Sequence, residues 1–275
     1  MDSNPVNRRI MVAFRRFLAI LGIAASSTAA FAGTPDFDLT PDKPEQFGYK
    51  TNWFAVKTDD TAAVINALGF GVGEPANWES GVSAAYGYFG SPGKKAYVID
   101  KNRAWIFVSP SVKGWVFIIG YSLPYPVMHN ADRFNGIGQK FDIVFSRLTS
   151  HFSEVQFFGS DRRVGFVAWA CALQGKPTRI FAFGDGDVYA NVGNQTKEEK
   201  ALGFLDLSGL SPRTASERLF SVEGSLFNED APLKLAALWS LDPDHLPEID
   251  TSPGLGRVIE LPARDFMIEL PKSEQ

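Results

Sequence analysis

The sequence predicts an α+β fold made mainly of antiparallel sheet. Three observations carry that expectation. Successive β-like runs follow one another through turns only a few residues long, which suits hairpins rather than crossovers. Between them lie segments with apolar residues three and four apart, bounded by capping residues and glycines. After Thr196 the chain then turns mostly helical.

At the N-terminus, Arg8, Arg9, Arg15 and Arg16 precede an apolar run from Phe17 to Ala25, then small residues ending in Ala30-Phe31-Ala32. That order is the charged, apolar and A-x-A plan of a secretory signal peptide, with cleavage expected after Ala32. The alternative is an uncleaved N-terminal anchor, although the run is short for a bilayer core of about 30 Å. Residues 1–32 are therefore read as a signal peptide, 33–47 as an extended lead-in, 48–246 as the globular domain and 247–275 as a C-terminal extension at the edge of the fold. The expected location is periplasmic or secreted.

Within the domain, NWFAVKT reads as a strand, and TDDTAAVINALGF as a helix with Thr/Asp caps and Gly69 at its end. Strand-like runs follow at about 82–89, 95–100, 103–109 and 114–121. A second helix is expected over 132–152, from the spacing of Phe134, Ile137, Phe141, Val144, Phe145, Leu148 and Phe152. Four more strands are expected at about 154–159, 163–173, 178–184 and 187–192. Helices then span 196–240: Thr196 and Glu199 form a capping box, Ser211-Pro212 opens one helix, and Asp230 to Trp239 forms another. Near the end, GRVIEL reads as one further strand.

Helix plus four-strand meander thus occurs twice, over 58–121 and 132–192. Tyr88-Phe89-Gly90-Ser91 recurs as Phe157-Phe158-Gly159-Ser160. Either the domain is an internal duplication, or short aromatic-glycine strings recur by chance. In RIFAFGDGDVYANVG, Asp185-Gly186 between two β-like runs marks a type I′ hairpin rather than a metal loop. Both aspartates beside it should then be exposed at a hairpin tip.

Composition excludes some partners. Removing residues 1–32 leaves 23 basic against 30 acidic residues, and no Lys/Arg cluster stands out. A polyanion such as nucleic acid is a poor ligand for such a chain. No second segment is apolar enough to span a membrane after signal cleavage. Cys171 is the single cysteine and lies in a strand apolar on both faces, which predicts an inert core thiol.

Catalytic motifs are weak. There is no G-x-S-x-G, and Ser91-Pro92-Gly93-Lys94 matches S-x-x-K only across a Pro-Gly turn, where a helix is needed. His129, His151 and His245 show no paired-ligand spacing. Asp242, Asp244 and His245 read as helix-stop and turn residues. No catalytic residue, metal ligand or cofactor is assigned. Paired carboxylates of a cell-envelope hydrolase stay open, because such pairs meet only in the fold. A glycan-binding platform also stays open, with Trp53, Trp78 and Trp115 as its candidate binding residues, whereas Trp105, Trp169 and Trp239 read as core. The uncharged loop Gly120 to Asn130 adds Tyr121, Tyr125 and Met128; it either plugs a cleft or presents a contact surface.

The stretches FGSDRRVGFVAWACALQGK, FAFGDGDVYANVG and LAALWSLDP resemble segments of uncharacterised bacterial α+β proteins, some of which accompany toxin-immunity gene sets. The resemblance covers the second half of the chain, and no catalytic residue carries over. The signal peptide, the acidic mature chain, the missing catalytic signatures and the aromatic-rich antiparallel framework predict an exported, non-enzymatic interaction protein; the resemblance implies an immunity-type inhibitor, although an exported location departs from the cytoplasmic habit of many such proteins. The expected partner is a basic toxin or an envelope protein, which the acidic chain would attract.

Overall fold

A computed structural model describes residues 37–89, 96–97, 103–128, 136–222 and 227–262. These fall within one compact unit, Asp36–Gln275; the preceding unit, Met1–Pro35, lies outside the described residues. So do the signal-peptide reading, the Ser91–Lys94 motif and His129.

The strands are β1 (Asn52–Lys57), β2 (Glu74–Ala76), β3 (Tyr88–Phe89), β4 (Ala96–Tyr97), β5 (Arg103–Val108), β6 (Trp115–Gly120), β7 (Glu154–Asp161), β8 (Phe166–Leu173), β9 (Lys176–Gly184), β10 (Asp187–Val192) and β11 (Gly256–Pro262). The helices are α1 (Thr61–Leu68), α2 (Trp78–Ala85), α3 (Ile137–Thr149), α4 (Lys197–Ala201), α5 (Pro212–Ser221) and α6 (Asp230–Trp239). Nine strands form one sheet in the order β10-β9-β8-β7-β1-β6-β5-β11-β2, and its pairings are antiparallel. The α+β class read from the sequence is the observed one, C-terminal helices included.

Strand alternation sends side chains to opposite faces, so each face of the sheet builds its own core. Trp53, Phe117, Phe158, Trp169 and Phe181 pack on one face under α2, α5 and α6. Phe54, Val116, Ile118, Phe157 and Ala170 pack on the other, under α1 and α3. Both faces of β1 are covered, which is why NWFAVK is nearly all apolar rather than alternating.

The sheet edges are blocked. Along β10, the Val188 N–H donates to Ser216 Oγ at 2.8 Å, and the Tyr189 carbonyl accepts from the Met128 N–H at 2.9 Å. The other edge, β2, has three residues with a central proline. Short, proline-bearing or capped edges do not template further strands.

Three expectations need correction. The run at 82–89 is mostly helix: Asn77 caps α2 by accepting from the Ser80 N–H, and only Tyr88–Phe89 is strand. Reading from Gly81 onward misses that cap; Gly81 itself is needed because a Cβ there would fall 2.3 Å from the Phe107 ring. The helix expected at 132–152 is α3, from Ile137 to Thr149; its expected first turn at 132–135 lies outside the described residues. The C-terminal extension is not an edge feature, since β11 lies between β5 and β2 with Val258, Ile259 and Leu261 buried.

The two proposed units are built differently. The second is α3 followed by the meander β7 to β10. Among the described residues the first contributes β2, β5 and β6 to the main sheet, while β3 and β4 form a separate pair. Tyr88-Phe89 therefore lies outside the main sheet and Phe157-Phe158 at its centre, so the two recurring strings occupy unlike places.

Candidate interaction surface

Strand pairing sets which loops meet. Asn52 pairs with Gly120 and with Gly159, Asp161 with Phe166, and Gly184 with Asp187. The segment entering β1, the segment leaving β6, the β7–β8 turn and the β9–β10 turn therefore share one end of the sheet.

This end is tied together by hydrogen bonds. Lys50 donates its N–H to Ser160 Oγ at 3.3 Å, and Ser160 Oγ donates to the Gly48 carbonyl at 3.0 Å. Tyr86 accepts from the Gly48 N–H and donates to the Tyr49 carbonyl; burial raises this phenol above its ordinary range. The Asp185 N–H donates to the Val164 carbonyl at 3.0 Å, joining the two hairpin turns. At the tip, Asp185 and Gly186 have φ of 49° and 83°, the two positive values a type I′ turn requires. Asp185 and Asp187 are exposed, as the hairpin reading expects.

At the centre of the rim, Arg163 donates through Nη2 to Tyr121 Oη at 2.8 Å. The same guanidinium grips Asp161 through Nε at 3.0 Å and Nη2 at 2.6 Å. Partial burial raises the Asp161 carboxyl, but Arg163's hydrogen bonds outweigh that and leave it below the ordinary carboxylate value. Tyr121 is 48% exposed, so its ring faces water while its hydroxyl is fixed. At the same end of the sheet, Tyr49 is raised first by desolvation and then by Asp244, Asp230, Glu229 and Asp242. Arg162 reaches Glu229 at 3.4 Å.

The sequence candidates divide. Trp53 and Trp78 are essentially fully buried and Trp115 is 5% exposed, so these three are core and offer no platform to a sugar ring. Trp53 stacks on Phe158 at 5.2 Å, Trp78 meets Phe107 edge-on at 5.4 Å, and Lys57 Nζ lies 4.6 Å over Trp115. Their positions near segment ends suggested exposure, but in a sheet covered on both faces even terminal residues are enclosed. Tyr125 packs at 4.6 Å on Phe166, and Leu123 and Val127 are buried, so most of the 120–128 loop is a plug. Tyr121 and Met128, 40% exposed, are its contact positions.

Exposed aromatic side chains concentrate here. Among the residues whose side-chain exposure is described, the exposed large aromatics are Tyr49, Tyr121 and Phe220, and all three lie at this end. Phe220 closes on the β9–β10 turn, where a Cβ on Gly186 would lie 3.2 Å from its ring. The sequence reading missed Tyr49, Asp161, Arg163 and Phe220. Asp161-Arg162-Arg163 between two apolar strands was the available signal.

Elsewhere, Cys171 is buried and burial pushes its thiol up to about 11. His245 Nδ1 lies 2.9 Å from Asp242 Oδ2, whose partner oxygen accepts from the Asp244 N–H, a turn staple after α6. Among the described residues no group of three His, Cys, Asp or Glu side chains is placed to hold a metal ion, and no helix is long and apolar enough to cross a membrane.

No protein-family model, no curated protein and no solved structure matches the chain.

Proposed function

We propose that this is an exported, non-enzymatic binding protein, and within that class an immunity-type inhibitor of a secreted toxin. It reaches the periplasm or the medium through the N-terminal signal, with cleavage after Ala32, and engages its protein partner through the rim around Tyr121. The observation that carries this reading is the concentration of the exposed aromatic residues at one end of the sheet, with Tyr121 held by Arg163. Half-exposed tyrosines and arginines fixed before binding lose little entropy on contact, and such residues dominate binding energy at protein interfaces. The acidic chain and the N-terminal sequence support the export and toxin parts of the proposal.

Expression of the full precursor in a bacterial host, with its neighbouring genes, tests it. The expected result is a periplasmic chain beginning at Gly33 by intact mass and a stoichiometric protein partner on purification. A chain retained in the cytoplasm, or one that purifies alone under every co-expression, would sink the proposal.

A further inference from the structure

The lead-in is held to the fold through backbone carbonyls and a carboxylate, and we infer that residues 37–46 form a releasable strap with Asp42 as its catch. Such a strap is independent of the binding-protein reading above. Asp42 Oδ1 accepts from the Trp78 N–H at 2.6 Å and Oδ2 from the Glu79 N–H at 3.0 Å, the first two amides of α2. Ser80 already donates to Asn77 Oδ1 and Gly81 to the Asn77 carbonyl, so the strap satisfies the two amides that the helix's own cap does not reach. Around the catch, the Asn77 N–H, next in the chain after β2, donates to the Asp38 carbonyl at 2.9 Å, and Asn77 Nδ2 donates to the Thr40 carbonyl at 3.1 Å. The Asp42 carbonyl in turn accepts from the Gly254 N–H at 3.0 Å, just before β11.

Little apolar surface holds the strap down. Between residues 37 and 46 only Pro44 is buried, Phe37 and Asp42 are half-buried, and Leu39 is 57% exposed. Burial raises the Asp42 carboxyl above its ordinary range despite the hydrogen bonds it accepts, so the catch is held charged at a cost. The chain is anchored again at Phe47, whose buried ring meets Trp53 edge-on at 5.8 Å and Phe117 at 5.4 Å while its N–H donates to the Pro243 carbonyl at 3.2 Å. A segment with shallow burial opens at a lower free energy than the core it crosses. Release therefore runs from residue 37 to a hinge before Phe47, and it uncovers the α2 N-terminus and the end of the β2 edge together.

Native-state hydrogen exchange of the full chain, over a series of sub-denaturing urea concentrations, tests this. The Asn77, Trp78, Glu79 and Gly254 amides should share one opening, about tenfold or more easier than that of the Phe54 and Phe157 amides at the sheet centre, with a shallower urea dependence. Phe141→Leu weakens the core on the opposite face of the sheet, and should ease the Phe54 and Phe157 openings while leaving the strap group where it was. Asp42→Ala destabilises the docked state itself, so it should ease both sets by the same factor, about fivefold. Strap amides that open only with Phe54 and Phe157, that open by unrelated equilibria, or that ignore Asp42→Ala would overturn the proposal.

Discussion

Arg179 on β9 and Glu199 on α4 are joined by two hydrogen bonds, 2.9 and 3.1 Å long, with both side chains almost wholly removed from water. Glu199 also accepts from Trp169 Nε1 at 2.8 Å and from the Thr196 N–H at 2.7 Å, while Arg179 Nη1 donates to Asn191 Oδ1 and the Val192 carbonyl. The capping-box glutamate of α4 is thus also the counter-ion that fastens the helical layer to the sheet. Replacing Arg179 by Met leaves a buried carboxylate without its cation, at a cost of about 3–5 kcal/mol. The double variant Arg179→Met/Glu199→Leu removes both charges and should be at least about 1 kcal/mol more stable than Arg179→Met alone. Urea unfolding of the single and double variants measures this; a double variant less stable than Arg179→Met would contradict it.

The 121–128 plug depends on Gly138. A Cβ there would fall 2.0 Å from the Val127 carbonyl oxygen, a backbone atom with little room to yield. Gly138→Ala should therefore cost about 1–3 kcal/mol despite its better helix propensity. Thermal unfolding reads the loss, and a stabilised variant would show that the loop does not seat against α3.

Cys171 should behave as a core thiol. An Ellman's-reagent assay at pH 8 should find it unreactive in the native chain and fully reactive in urea. The folded state holds the proton up to about 11, whereas an unfolded thiol releases it near about 8.5. The thiol's contribution to stability is therefore present below about 8.5 and is lost as pH rises toward 11. Rapid labelling of the folded protein would contradict the burial.

His245 should titrate above an ordinary histidine, because the Asp242 hydrogen bond and charge favour its protonated form. Its contribution is present below the unfolded value and lost as pH rises through the folded one. Ring-proton NMR should show Asp242→Asn moving the titration back toward the ordinary value, with Glu248 and Asp244 sustaining a smaller rise; an unchanged midpoint would place the cause elsewhere.

How much was legible in the sequence follows from the range of the interactions. The caps at Asp60, Thr196 and Ser211, the Gly69 terminus and the Asp185-Gly186 turn are local, and the structure reproduces each. The placement of β11 was not legible, because it is set by pairing with β5, about 150 residues earlier in the chain. The interaction surface was half legible. Tyr121 and Met128 stood out in an uncharged loop, but Arg163 reaches Tyr121 only because β6 and β7 both flank β1. Trp53, Trp78 and Trp115 misled because a residue near a strand or helix end is exposed only where no neighbouring layer covers it.

Arg163 positions rather than supports. Arg163→Met should cost about 1 kcal/mol, since the guanidinium it removes is 57% exposed while Asp161 beneath it is partly covered. It should still weaken partner capture, because the Tyr121 ring then samples several rotamers. Capture at wild-type level by Arg163→Met would show that the clamp has no part in binding.

The central claim is tested most directly by a photo-cross-linking amino acid placed at position 121 of the exported chain, with Leu173, an exposed apolar residue at the opposite end of the sheet, as the control position. One stoichiometric adduct is expected from position 121, mapping to a single partner protein, and none from position 173. Equal cross-linking from both positions, or none from position 121, would contradict it.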